Sequence, residues 1–125
     1  MIRLALFGQP VARSLSPRIH TRFAEQFGLP VEYTAIEATP ESFEDRVHRL
    51  ADAGGRGCNV TVPFKHRAWQ LAARRSEAAN RAEAANTLSF EASGWRAENT
   101  DGGGLVAALE AHERLPLPGL RIALL

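Results

Sequence analysis

Short apolar runs alternate with amphipathic stretches along most of the chain. Residues 3–8 form an apolar run closed by Gly8 and Pro10, and residues 32–36 and 57–62 form two more that are rich in β-branched or aromatic residues. Apolar runs of roughly four to eight residues between turn residues are typical of buried strands. We therefore predict three strands in the first half of the chain, with helices between them.

The segments between these runs have the spacing of amphipathic helices. Ser16 and Pro17 predict the start of the first helix, because serine favours the N-cap and proline favours the first helical position. Ile19, Phe23 and Phe27 then recur at every fourth residue, which places them on one face. The other predicted helices start at Thr39, cover residues 65–74 and 77–83, and start again at Asp101.

The second half of the chain adds an antiparallel pair to this alternation. Residues 85–90 and 94–97 predict a hairpin whose turn includes Gly94. Strands separated by helices favour a parallel sheet that is covered on both faces. The predicted fold class is therefore α/β, with a mixed, mainly parallel sheet flanked by helices in three α/β/α layers.

The last residues do not fit the same domain. Residues 117–119 read Leu-Pro-Gly and predict a linker, and residues 120–125 predict the start of another buried strand. A buried strand at the end of a chain has nothing after it to cover it, which suggests truncation. We therefore predict one domain over residues 1–116, with a linker and the first strand of a further domain over residues 117–125.

Composition and charge argue against several classes of protein. The 125 residues include 15 Lys+Arg and 14 Asp+Glu, and a net charge of +1 does not favour a nucleic-acid or membrane-surface partner. Cys58 is the single cysteine, so no internal disulfide is expected, and the four histidines lack metal-ligand spacing, so no metal is predicted. Apolar runs are too short for a secretory signal or a membrane span, which predicts a cytoplasmic protein.

One basic residue differs from all the others. The 15 basic residues are 14 arginines and Lys65, and lysine can lose its proton in a protein whereas arginine cannot. Lys65 also follows the third predicted strand, at the edge where open α/β sheets bind their ligands. Proton chemistry at Lys65 is one interpretation, and a chance count combined with a solvated first-turn position is the other.

Polar residues that suit a small-molecule site lie beside the same elements. Ser14 and Ser16 lie at a predicted helix start, where free N–H groups favour a carboxylate, although capping alone would also explain them. Thr61 falls on the same side of the third strand as Asn59. Asp101 fits either a helix cap or a ligand contact.

Four motifs follow one another along the chain. They are Phe-Gly-Gln-Pro at residues 7–10 with Ser-Leu-Ser-Pro at 14–17 and His20, then Gly-Gly at 54–55 leading to Asn-Val-Thr-Val-Pro-Phe-Lys at 59–65, then Ala-Asn-Thr-Leu at 85–88, and Asn-Thr-Asp-Gly at 99–102. With these motifs in this order, the chain resembles the N-terminal, substrate-binding domain of the shikimate dehydrogenase family. The resemblance covers essentially all of the chain.

The resemblance implies what the polar residues do. Lys65 matches the catalytic acid/base of the family, which is paired with the aspartate that Asp101 matches. Glu77 matches a position that contacts the cofactor. The matching substrate-binding residues are Ser14 and Ser16 for the carboxylate, Thr61, Asn86 and Asp101 for the ring hydroxyls, and Lys65.

The implied activity is the reversible, NADPH-dependent reduction of 3-dehydroshikimate to shikimate, in chorismate and aromatic amino-acid biosynthesis. In this family the glycine-rich NADP loop follows a strand like residues 120–125. We therefore expect a chain truncated at the first strand of a missing Rossmann domain, inactive alone, with the substrate as its partner and a homodimer left open. Two alternatives remain: a dehydrogenase that uses quinate or NAD, and a stand-alone binding module without catalysis.

Overall fold

The computed structural model describes residues 1–123 and 125, and these residues form one mixed sheet with flanking helices. The strands are β1 (Ile2–Gly8), β2 (Val31–Glu37), β3 (Gly57–Val60), β4 (Arg74–Arg75), β5 (Thr87–Ser89) and β6 (Arg96–Glu98). The helices are α1 (Ser16–Phe27), α2 (Phe43–Asp52), α3 (Lys65–Leu71), α4 (Glu77–Ala82) and α5 (Asp101–Ala111).

The strand order of the sheet is β2-β1-β3-β5-β6-β4. Strand β1 is parallel to both β2 and β3, β5 is antiparallel to β3 and to β6, and β4 is parallel to β6. The predicted mixed, mainly parallel sheet and the predicted hairpin are therefore confirmed. Because of these directions, β1, β2, β3 and β6 all end at the edge of the sheet where β5 begins.

One face of the sheet carries the hydrophobic core. The register places Ala5, Cys58, Leu88 and Ala97 side by side on four neighbouring strands, and all four are buried. Burying a large apolar side chain contributes about 1.5–3 kcal/mol, so this face carries much of the stability. Helices α2, α3 and α4 cover it with the buried side chains Phe43, Val47, Ala68 and Ala79.

The opposite face of the sheet is polar near the site described below. Side chains alternate along a strand, so Leu6, Asn59 and Thr87, which are register partners on β1, β3 and β5, point away from the core. Helix α1 lies on this side, with His20 stacked on Tyr33 of β2 at a ring-centroid distance of 4.2 Å. Helices therefore flank both faces, as predicted.

Two residues predicted as helix N-caps are instead the first residues of their helices. Ser16 is the first residue of α1, and its N–H donates to Ser14 Oγ at 3.2 Å. Asp101 is likewise the first residue of α5, and its N–H donates to Asn99 Oδ1 at 3.0 Å. The side chains of Ser16 and Asp101 therefore do not cap their helices.

Other boundaries differ where local signals were ambiguous. The helix expected from Thr39 begins at Phe43, because Thr39 and its neighbours form a turn held by Ser42. The helix expected over residues 65–74 ends at Leu71, and β4 follows it. Strand β4 has only two residues, so it is too short to show the alternation of apolar and polar residues that predicts a strand.

Two apolar segments lie on the surface instead of in a core. Ile19, Phe23 and Phe27 are exposed, because α1 packs on the sheet through Ala24 and His20. The strand predicted over residues 120–125 is not formed at residues 120–123 or at residue 125, and residue 124 lies outside the described residues. An apolar strand needs a neighbouring strand for its backbone hydrogen bonds, and none lies beside this segment among the described residues.

No helix in the described part of the chain has the length and apolar character needed to cross a bilayer.

Candidate functional site

Two adjoining cavities lie at the edge where β1 and β3 end. They measure about 420 Å³ and 240 Å³, and both are lined by Leu6, Ser16 and Thr61. The larger cavity continues to Ser14 and Arg13. The smaller is also lined by His20, Asn59, Lys65, Asn86 and Asp101. The structure thus brings all the predicted substrate-binding residues to one cleft, at the position where open α/β sheets bind ligands.

An ion pair between Lys65 and Asp101 forms one end of the cleft. The two residues begin α3 and α5, and Lys65 Nζ lies 2.7 Å from Asp101 Oδ2. Their side chains are 31% and 49% exposed, so the pair contributes at most about 1 kcal/mol to folding. An ammonium has three N–H donors, and Asp101 engages one of them. This geometry leaves Lys65 donors for a ligand oxygen.

Asn86 fixes the orientation of the Asp101 carboxylate. Its Nδ2 donates to Asp101 Oδ1 at 3.0 Å and to Thr100 Oγ1 at 2.7 Å. Its Oδ1 accepts from Thr100 N at 3.2 Å and from Thr87 Oγ1 at 3.1 Å. Both carboxylate oxygens of Asp101 are therefore engaged, one by Asn86 and the other by Lys65.

The other end of the cleft suits an anion. Ser14 and Ser16 lie where α1 begins, and the free backbone N–H groups and dipole of a helix N-terminus favour negative charge. Arg13 lines the same cavity, and it adds a positive charge. The cleft therefore combines an anion-binding end with an amine–carboxylate pair at its other end.

Close packing of two loops places Thr61 between these ends. Thr61 N donates to Phe7 O at 2.9 Å, and Gln9 N donates to Val62 O at 3.0 Å. A Cβ atom at Gly8 would lie 2.4 Å from Thr61 Cγ2, a distance that real side chains do not adopt. The absence of a side chain at Gly8 therefore allows the loop after β3 to pack against the end of β1.

Sequence reasoning assigned no role to Tyr33, Asn59 and His20. Tyr33 Oη donates to Asn59 Oδ1 at 2.8 Å, and the Tyr33 ring stacks on His20 with an interplanar angle of 14°. Asn59 belongs to the motif at residues 59–65, and it lines the smaller cavity together with Thr61, the first residue after β3. Tyr33 belongs to none of the sequence motifs. Its strand β2 is separated from β3 by β1, so the sequence alone does not indicate that Tyr33 and Asn59 are in contact.

Burial raises the pKa of Tyr33 from 10.0 to about 12. Because the folded state holds this proton more tightly than the unfolded state, the free energy of unfolding is expected to fall as the pH rises from about 10 to about 12. Tyr33 is the only tyrosine, so its own titration can be followed by tyrosinate absorbance. In denaturant unfolding across this pH range, the free energy of unfolding should fall more steeply with pH for the native sequence than for Tyr33→Phe. Equal slopes of this free energy against pH would contradict the expectation.

Among the described residues, no segment forms a dinucleotide-binding loop. Glu77 begins α4, is exposed, pairs with Arg81 and lines neither cavity of the cleft. Residues 102–104 are glycines, but they lie in the first turns of α5 and lack the Gly-x-Gly-x-x-Gly spacing of a phosphate loop. We therefore assign no step of a nucleotide-dependent reaction to these residues.

Comparisons with known proteins agree with this fold. A family profile described as "Shikimate dehydrogenase substrate binding domain" matches residues 6–88. The shikimate dehydrogenase (NADP(+)) of Xanthomonas euvesicatoria pathovar vesicatoria is 49% identical over 98% of this chain and 44% of its own length. The chain thus spans less than half the length of the curated relatives it matches.

Solved structures show the same similarity. An Ael1 enzyme from Pseudomonas putida superposes with a TM-score of 0.89 at 44% identity, over 94% of this chain and 43% of that one. Shikimate 5-dehydrogenase from Thermus thermophilus, in complex with NADP(H) and shikimate, superposes with a TM-score of 0.83 at 36% identity, over 89% and 42%. The fold is thus that of a substrate-binding domain of α/β oxidoreductases. The chain belongs to the shikimate dehydrogenase family, and it matches that family's substrate-binding domain.

Proposed function

We propose that this chain binds shikimate and 3-dehydroshikimate as the substrate-binding part of an NADP-dependent shikimate dehydrogenase. The observation that carries the proposal is one cleft with Ser14 and Ser16 at one end and the Lys65–Asp101 pair at the other. The name of the Xanthomonas relative and the ligands of the Thermus structure support it. NADP dependence, a Glu77 cofactor contact, the domain boundary at residue 116 and a cytoplasmic location stay predictions.

The two ends of the cleft fit the two ends of such a substrate. The carboxylate accepts hydrogen bonds from Ser14 and Ser16 and lies in the positive potential of the α1 N-terminus. Ring hydroxyls meet Thr61 and Asn86, whose side chains line the middle and far end. Fixing the carboxylate places the reacting oxygen, which lowers the entropic cost of reaction.

Lys65 moves the proton in this proposal. A ketone that becomes an alcohol gains a proton at its oxygen, and the charged ammonium of Lys65 donates it. In the reverse direction the neutral amine accepts the proton from the alcohol. Asp101, 2.7 Å away, orients the amine.

Isothermal titration calorimetry of this chain with shikimate tests the proposal. We expect shikimate to bind, and we expect its methyl ester to bind about 10-fold more weakly or worse, since a hydrogen bond to a charged group is worth roughly 1.5–3 kcal/mol. Cyclohexene carboxylate, which lacks the ring hydroxyls, should also bind more weakly. No heat of binding with shikimate, or equal affinity for all three compounds, would contradict the proposal.

A further inference from the structure

Hydrogen bonds connect Tyr33, on an edge strand, to the polar end of the cleft. Tyr33 Oη donates to Asn59 Oδ1 at 2.8 Å, and Asn59 Nδ2 donates to Thr87 Oγ1 at 3.0 Å. Thr87 Oγ1 donates to Asn86 Oδ1 at 3.1 Å. From Asn86 the contacts continue to Asp101 and Lys65, as described above. We call these six residues the polar network: Tyr33, Asn59, Thr87, Asn86, Asp101 and Lys65.

Each link in the polar network sets the direction of the next. A carboxamide donates through nitrogen and accepts through oxygen. With Asn59 Oδ1 receiving the Tyr33 hydroxyl, Asn59 Nδ2 must face Thr87 Oγ1 and Asn86 O. Thr87 then has its single proton free for Asn86 Oδ1, which turns Asn86 Nδ2 toward Asp101.

Packing against His20 holds the Tyr33 ring in place. Its ring stacks on His20, and His20 Nδ1 lies 2.9 Å from Ser16 O at the start of α1. The Tyr33 hydroxyl carries one proton, and it donates this proton to Asn59 Oδ1. Tyr33 lines neither cavity of the cleft. It acts on a ligand through neighbours that line the smaller cavity, Asn59 by its hydrogen bond and His20 by its stacked ring.

We propose that Tyr33 is a positioning residue whose hydroxyl fixes the Asn59 carboxamide and, through Thr87 and Asn86, holds the Asp101 carboxylate against Lys65. The expected effect of Tyr33 on shikimate binding rests on the proposed function, whereas the positioning of Asn86 by Tyr33 does not. Hydrogen-bond networks of this kind lose more than one link when a member is removed. Without the Tyr33 hydroxyl, Asn59 Oδ1 loses its donor, and the carboxamide keeps only the hydrogen bonds of its Nδ2 to Thr87 Oγ1 and Asn86 O.

Two substitutions remove one hydroxyl each from the polar network while keeping the shape of the side chain. Tyr33→Phe keeps the ring that stacks on His20, and Thr87→Val keeps the β-branched side chain of β5. Thr21→Val is the matched control, because Thr21 Oγ1 donates to Pro17 O on the exposed side of α1 and touches no network residue. The three variants and the native chain are compared by nitrogen-15 NMR and by calorimetry with shikimate.

The side-chain amide signals of Asn86 give the readout that a merely structural role would not move. We expect these signals to shift and broaden in Tyr33→Phe and in Thr87→Val, and to stay unchanged in Thr21→Val. Shikimate affinity should fall about 3- to 10-fold in each network variant. In the double variant Tyr33→Phe, Thr87→Val, the fold-loss of shikimate affinity should be smaller than the product of the two single fold-losses, because both changes break the same network.

Unchanged Asn86 signals in a folded Tyr33→Phe chain would overturn the inference, and so would losses that multiply in the double variant. If Tyr33→Phe fails to fold, unchanged Asn86 signals in Thr87→Val would overturn it equally. If the native chain binds no shikimate, the proposed function fails, and the Asn86 signals still decide whether Tyr33 positions the network.

Discussion

Replacing Lys65 with methionine is expected to reduce turnover by about 10²- to 10⁴-fold, the usual contribution of a general acid or base. The measurement joins this chain to the NADP-binding half of a relative and follows shikimate oxidation. Methionine keeps roughly the length of the lysine stem and removes the amine. A group that transfers a proton acts mainly in the transition state, so KM should change much less than kcat.

Lys65→Arg is the companion that separates charge from proton transfer. Arginine keeps the positive charge beside Asp101 but does not give up its proton near neutral pH. If Lys65 only attracts the substrate, Lys65→Arg should retain most of the activity. We expect it to be nearly as impaired as Lys65→Met, and near-normal turnover would refute the acid/base role while leaving the family assignment intact.

Removing both hydroxyls at the anion end should abolish most of the affinity for shikimate. Ser14→Ala and Ser16→Ala each remove a hydrogen bond to a carboxylate, at a cost of roughly 1.5–3 kcal/mol. The double variant should therefore bind shikimate about 100-fold more weakly or worse. Calorimetry of this chain measures the change directly.

A serine at another helix start provides the control. Ser76 caps α4 by accepting the N–H of Ala79 at 3.1 Å, away from the cleft. Ser76→Ala should lower the free energy of unfolding by about 1 kcal/mol and leave shikimate affinity unchanged. The binding role of the cleft serines would be disproved by a Ser14→Ala, Ser16→Ala chain that folds and binds as tightly as this control.

Much of the fold could be predicted because periodicity is a local property. The buried runs that became β1 and β3 are bounded by glycine and proline, and the hairpin of β5 and β6 has its own turn residues. Residues 120–125 show the limit of this reasoning. Their apolar pattern is that of a strand, but a strand forms only where a neighbour accepts its backbone hydrogen bonds.

The candidate site could be predicted in part for a similar reason. Ser14, Thr61, Lys65 and Asp101 belong to motifs whose residues suit binding or proton transfer, so each carried its own signal. The hydroxyl of Tyr33 lies two strands from Asn59, and only the strand order β2-β1-β3 brings them together. Likewise, the hydrogen bonds that Ser14 and Asn99 accept from the first residues of α1 and α5 depend on where each helix begins.

Helix α5 buries none of its residues, and this has a consequence for the cleft. Segments with few buried contacts open locally at much lower free energy than the core, without unfolding the whole domain. Asp101 lies at the attached end of this helix, where Asn86 and Lys65 hold it. A segment with no buried residues therefore carries half of the ion pair, and a ligand that needs Asp101 in place would stabilise α5 against local opening.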